Sequence, residues 1–230
     1  MKKIRISKEA TYVIAILLLS FSVAMITCTD FGVSMIVAPA YILSQKVTFL
    51  SFGSAEYVVQ AVLFVIFCIA MKRVKPIYFC SFLTGVIYGA VLDLWRKIIP
   101  HFNPEINPPG SLPAPIKVIY FILGMLLTSL SIALFYKTYF YPQVYDFFVK
   151  GVSGRYGIRT TKFKICFDFS FLIIACILSA VLFKKLVGVG FGTIIMTCLN
   201  GLIIGFFSSF LDKHVEFYAR SKKFEKVFEI

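Results

Sequence analysis

Six uninterrupted apolar segments limit what this chain can fold into. They cover residues 9–28, 54–72, 76–95, 116–138, 163–183 and 188–211, each 19–24 residues long. At 1.5 Å per residue, an α-helix of that length crosses a hydrocarbon core of ~30 Å. Lipid offers no partner for a backbone N–H or C=O, so a spanning segment must satisfy its own backbone, as a helix does. None of the six alternates with a period of two, which argues against a transmembrane β-barrel. The expected fold is all-α: a polytopic membrane protein with about six transmembrane helices in one membrane domain, 1–230. Composition agrees, with 59% hydrophobic and 15% charged residues, against about half and about a quarter in a soluble domain.

A net charge of +13 would suit nucleic acid if it formed one patch. Instead the basic residues sit in short clusters between apolar runs, so the partner they indicate is the lipid bilayer and not nucleic acid. With the N-terminus inside, segments 1–8, 72–75, 137–164 and 213–230 carry 18 Lys and Arg, and the external segments carry 6. That bias predicts a multi-pass protein of a bacterial inner membrane with both termini cytoplasmic and the proline-rich loop 99–114 outside. Lys2, Lys3, Arg5 and Lys8 resemble a signal n-region, and Met25-Ile26-Thr27-Cys28 hints at a lipoprotein box. Thr27 is larger than the residue such a box places before its cysteine, and more spans follow, so residues 9–28 read as a first transmembrane helix. The six cysteines lie in or beside apolar runs without a CxxC pair, and read as small hydrophobic residues rather than disulfides or metal ligands.

Two apolar stretches are too short to span. Val33–Leu43 is broken by Pro39, and Gln143–Val149 follows Pro142; Asp30-Phe31-Gly32 precedes the first and Gly151-Val152-Ser153-Gly154 follows the second. Both are expected to be interfacial helices or half-helices dipping into the protein. These stretches also organise a repeat. Ser81–Gly89 recurs as Thr197–Gly205, Asp93 and Asp212 close the two helices, and each half runs long helix, short proline-containing segment, two long helices. Three spans per half force consecutive halves to cross in opposite directions, as in inverted-repeat transporters. The predicted boundaries are about 9–95 and about 116–212, with a cytoplasmic tail 213–230.

Gly85 and Gly89, and likewise Gly201 and Gly205, place paired glycines on one helix face and predict close helix packing, within the chain or against a second copy of it. Ser20, Ala24 and Cys28 make a similar stripe. Glu56 and Asp168 each lie 16 residues before a lysine, Lys72 and Lys184. A carboxylate inside an apolar span is costly and usually functional, so the two are expected to pair across the repeat and bind a cation or exchange a proton, Asp168 being the more deeply placed. Gln60 shares a helix face with Glu56. Asp30, Ser34 and Tyr41 flank the first short segment, and Asp146 and Tyr145 lie in the second, where half-helix ends could hold an ion. Nothing suggests an enzyme or a cofactor: His101 and His214 are the only histidines, and no Walker A, HExxH or GxSxG motif occurs.

Asp30-Phe31-Gly32-Val33-Ser34, Ala38-Pro39-Ala40-Tyr41, Ser51-Phe52-Gly53 with Ala55-Glu56-Tyr57, and Tyr88–Asp93 together resemble the YitT/YczE-type bacterial membrane proteins, in an uncharacterised subgroup. The resemblance covers most of residues 10–212 and is better in the first half. It implies a small multi-span inner-membrane protein of transporter type, and brings no substrate and no site residues. The expected function is an inverted-repeat transporter for a small molecule or ion, working alone or as a homodimer. The alternatives are a substrate-binding S-component of an energy-coupling-factor importer, docking its partner through Ser20, Ala24 and Cys28, or a membrane scaffold.

Overall fold

The computed structural model describes residues 4–220. The first three residues and those beyond Arg220, which entered the charge count and the predicted tail, lie outside the described residues. The chain forms eight α-helices: α1 Lys8–Thr27, α2 Ala38–Lys46, α3 Phe52–Met71, α4 Phe79–Ile98, α5 Ala114–Phe135, α6 Val144–Tyr156, α7 Thr160–Phe183 and α8 Phe191–His214. Two short strands, β1 Ile4–Ser7 and β2 Val215–Tyr218, pair in parallel, Ile4 opposite Val215. Six helices are long and apolar enough to cross a membrane. Their outward faces carry Ile69, Val181, Leu202 and Phe206, each more than 60% exposed, an apolar coat that water would penalise and lipid accepts.

Local chemistry sets the helix ends. Ser7 and Ser51 cap α1 and α3 by accepting from Ala10 N and Ser54 N, using backbone donors that a helix start leaves free. Pro39 stands in the first turn of α2, where its missing N–H costs nothing. Helix α6 ends at Gly157 in the left-handed region, φ +64°, which glycine adopts without strain. Sequence reading placed a break at Gly151–Gly154, but those residues are helical and α6 is 13 residues long. The Gly151 position explains why: a Cβ there would press on the Phe67 ring, so this glycine serves packing within a helix.

Helix α1 is the axis of the molecule and lies against α4 and α5. Gly124 lets Ile26 seat on α5, Ser22 and Thr128 hydroxyls bond at 2.8 Å, and Ser131 donates to Ala15 O at 2.6 Å. Each short helix bridges the halves: α2 packs on α3 and α7, and α6 packs on α7 and α3. A second, aromatic core forms where α6 meets α3 and α7, around Phe67, Tyr78, Phe147, Phe167 and Phe171. Ser20, Ala24 and Cys28 are all buried in the core, which overturns the expectation that this stripe is free to dock a partner.

Candidate functional site

The first half closes at its glycines. Gly53 of α3 and Gly89 of α4 touch backbone to backbone, and a Cβ on Gly89 would lie 2.8 Å from Gly53 O and 2.5 Å from the Tyr57 ring. The Gln60 amide fills the space left by Gly85. At the outer rim of this seam Asp93 latches α3 to α4: its carboxylate accepts from Gly53 N at 2.8 Å and from Ser51 Oγ at 2.5 Å. A carboxylate on free N–H groups at a helix start is favoured by hydrogen bonding and by the helix dipole.

Glu56 lies one turn further into α3, fully buried. Its Oε2 accepts from Tyr145 OH at 2.9 Å and from Gln60 Nε2 at 3.2 Å, and Gln60 Nε2 also reaches Gln143 Oε1 at 3.4 Å. Tyr145 and Gln143 come from the start of α6, so the cluster joins the two halves. Glu56 Oε1, Gln60 Oε1 and Gln143 Nε2 are buried without a hydrogen-bond partner. Among the described residues no Lys, Arg or His lies within ion-pair distance of Glu56.

Beside this cluster is a cavity of about 80 Å³, lined by Ser34, Tyr88, Thr128, Gln143, Tyr145 and Asp146 among apolar side chains. Ser34, Ile36, Ile132 and Met196 are shared with a larger cleft of about 450 Å³ between α7 and α8, where Lys164, Asp168, Tyr136 and Asn200 stand. Lys164 Nζ lies 3.2 Å from Asp146 Oδ1 and 3.5 Å from Asp168 Oδ1. The two spaces adjoin at these shared residues, and Gln143 and Tyr145 of the Glu56 cluster line the smaller one.

The sequence-predicted residues divide accordingly. Glu56 and Gln60 stand together, with Ser34 lining both spaces. Asp30 does not join them: it is exposed, in a left-handed turn at φ +58°. Tyr41 packs edge-on against Phe52 with 3% exposure and lines neither space. Asp168 is not the deeper carboxylate: its side chain is 19% exposed and has Lys164 as a counter-ion, whereas Glu56 is 0% exposed and has none. They are not an equivalent pair in this structure. Gly201 and Gly205 are a further correction, since a Cβ on either meets nothing within 4 Å; α7 and α8 barely touch, so these glycines pack against no helix. Sequence reading missed Gln143, Tyr88 and Lys164. It named Tyr145 and Asp93 without seeing that one bonds Glu56 and the other latches α3.

The segments that carried the family resemblance, Ser51–Gly53, Glu56-Tyr57 and Tyr88–Asp93, converge on this seam and cluster. A sequence model of a family of unknown function, DUF6198, matches residues 6–209. The YitT/YczE-type naming is not confirmed by that match. The chain is also similar to the uncharacterized protein YyaS of Bacillus subtilis (strain 168), 27% identical over 210 residues, covering 90% of this chain and 95% of the relative. No solved structure matches.

Proposed function

The chain belongs to the DUF6198 family, and we propose that it is a membrane carrier for a small molecule or ion, built from two inverted three-span repeats. The observation that carries this reading is the pair of adjoining cavities, the larger between α7 and α8 and the smaller lined by Gln143 and Tyr145 of a buried polar cluster, set against the closed α3–α4 seam. Inverted-repeat carriers hold their site between the halves, near broken helices. Exchange of the halves also maps most packing onto itself. The α1–α4 contact has its counterpart in α5–α8, α2–α3 in α6–α7, and α3–α6 in α7–α2. Each half's last helix also reaches the other half at a different level: Thr84 of α4 donates to Tyr141 O ahead of α6, and Thr193 of α8 donates to Val33 O ahead of α2. The exceptions, α3–α4 against α7–α8 and the smaller α4–α6 contact without an α8–α2 counterpart of that size, are what a carrier caught with one side open would present.

With the N-terminus inside, the cleft faces the cytoplasm and loop 99–114 faces outward. A single cysteine at Asn107 in a cysteine-free background then labels from outside in intact cells; labelling only after lysis reverses the orientation. The functional test is uptake into liposomes holding the purified chain alone, screened over inorganic cations and small organic solutes. Uptake without a partner supports the carrier. Solute binding without uptake, together with a co-purifying ATPase, would instead establish the S-component alternative, although the buried Ser20, Ala24 and Cys28 stripe leaves that subunit without its expected docking face.

A further inference from the structure

We propose that Glu56 carries a proton in this state, exchanged with the cavity through Tyr145, and that Glu56 alone, not a Glu56–Asp168 pair, is the proton site. Calling this proton a coupling ion rests on the carrier reading; its presence does not. The first argument is charge. A carboxylate held wholly out of water with no cation beside it costs several kcal/mol; Asp168 avoids that cost by partial exposure in the cleft and by its pairing with Lys164. The second is hydrogen-bond direction. An ionised carboxylate accepts on both oxygens, whereas a protonated one donates from one and accepts on the other. Both donors at Glu56, Tyr145 OH and Gln60 Nε2, converge on Oε2, and Oε1 receives none. That is the arrangement of a neutral carboxyl with Oε2 as its carbonyl oxygen and Oε1 as its hydroxyl. Gln60 Oε1, also without a partner, supplies spare acceptor capacity on the same helix face.

The surroundings fit a proton better than an alkali ion. Two unpartnered oxygens are too few to replace an ion's hydration shell. The groups around Glu56 are neutral: Gln60 and the Tyr145 phenol bond it, Gln143 bonds Gln60, and the Tyr88 phenol of α4 lies close enough to feel a charge on it. Asp93 of α4 is engaged with Ser51 and Gly53. Asp146, next to Tyr145, faces the cavity and holds Lys164. Tyr145 lines the cavity and bonds Glu56 Oε2, so its hydroxyl can take a proton from cavity water and hand its own to Oε2; a half-turn of the carboxyl group then places that proton on the side away from Tyr145 and returns a bare oxygen to its hydroxyl. Water gives and later regains that proton, and no other bond is made or broken.

The experiment is infrared spectroscopy of the chain in liposomes, comparing wild type with Glu56→Gln, in H₂O and in D₂O. A protonated-carboxyl carbonyl band that shifts in D₂O and is lost in Glu56→Gln is expected. Tyr145→Phe, which removes one donor from Oε2, should keep that band and move it, and it serves as the reporter if Glu56→Gln does not fold. A band unmoved by Tyr145→Phe, or a wild type whose only difference from Glu56→Gln is a carboxylate band, overturns the proposal. If that carboxylate is accompanied by NaCl-dependent thermal stabilisation absent from Glu56→Gln, the occupant is an alkali ion instead. The measurement does not need a substrate. A chain that shows the band yet moves no solute in liposomes keeps its proton site and loses the carrier reading.

Discussion

Helices α3 and α4 approach until the Gly53 backbone meets that of Gly89, whereas α7 and α8, at the same place in the second half, stand apart with Gly201 and Gly205 facing open space. Both halves carry the same glycine spacing, so the spacing permits contact without producing it. What the first half adds is a set of groups that use the space. Gln60 fills the Gly85 gap, Tyr57 covers Gly89, and Asp93 ties down the start of α3. In the second half Asp212, the aspartate near the end of α8, pairs with Lys137 at 2.7 Å. Each side's carboxylate follows suit. Glu56 is sealed behind the closed seam without a counter-ion, and Asp168 lines the open cleft with one.

The largest expected effect comes from filling the glycines. Gly89→Leu must push α3 off α4, and overpacking of this kind costs about 1–3 kcal/mol or more, visible as lost yield or a lower apparent Tm in detergent. Gly205→Leu should stay within about 0.5 kcal/mol of wild type. Equal losses in the two variants would mean that α7 and α8 are closed in the isolated protein. If α7 does close on α8 during a cycle, Gly205→Leu keeps its stability and loses uptake.

A smaller difference should separate the two carboxylates. Lys164→Met leaves Asp146 and Asp168 facing each other without their cation. Removing one partner of a buried pair costs ~3–5 kcal/mol, and here the Lys164 side chain is 35% exposed, so about 1–2 kcal/mol is expected. Glu56→Gln should cost nothing measurable in a thermal melt, because no ion pair is broken there. A Glu56→Gln loss as large as that of Lys164→Met would show that Glu56 has a cation in solution.

The smallest effect concerns the latch. Asp93→Asn keeps size but weakens the bonds to Gly53 N and Ser51 Oγ, for which about 1 kcal/mol is typical of a helix-start carboxylate. Asp212→Asn removes its exposed pair with Lys137, worth less than ~1 kcal/mol. Asp93→Asn should also make a cysteine at Ser54 react faster with a water-soluble maleimide. An unchanged rate would mean that the glycine contact, and not Asp93, holds the seam.

The helices were legible because membrane length is a one-dimensional signal: six apolar runs predicted six helices to within a few residues at most ends. The Glu56–Gln60 half of the cluster was legible too, since i and i+4 share a helix face. The other half was not. Tyr145 and Gln143 lie more than 80 residues away, and only the docking of α6 on α3 brings them to Glu56. The Lys164–Asp168 spacing of four is readable in the same way, since it too places both side chains on one helix face. The openness of Gly201 and Gly205 is a property of tertiary arrangement, invisible in a spacing they share with Gly85 and Gly89.

The clasp between β1 and β2 bears on how the chain is made. Ile4 is synthesised more than 200 residues before its partner Val215, and all eight described helices lie between them. Until then β1 presents an unpaired edge, and the ends of α1 and α8 are not joined to one another. Pairing this distant in sequence is slow to form because a long loop must close first. Completion of the clasp is therefore a late event in assembly. A chain cut short before Val215 would keep the six described apolar helices and lack the contact that joins the start of α1 to the end of α8.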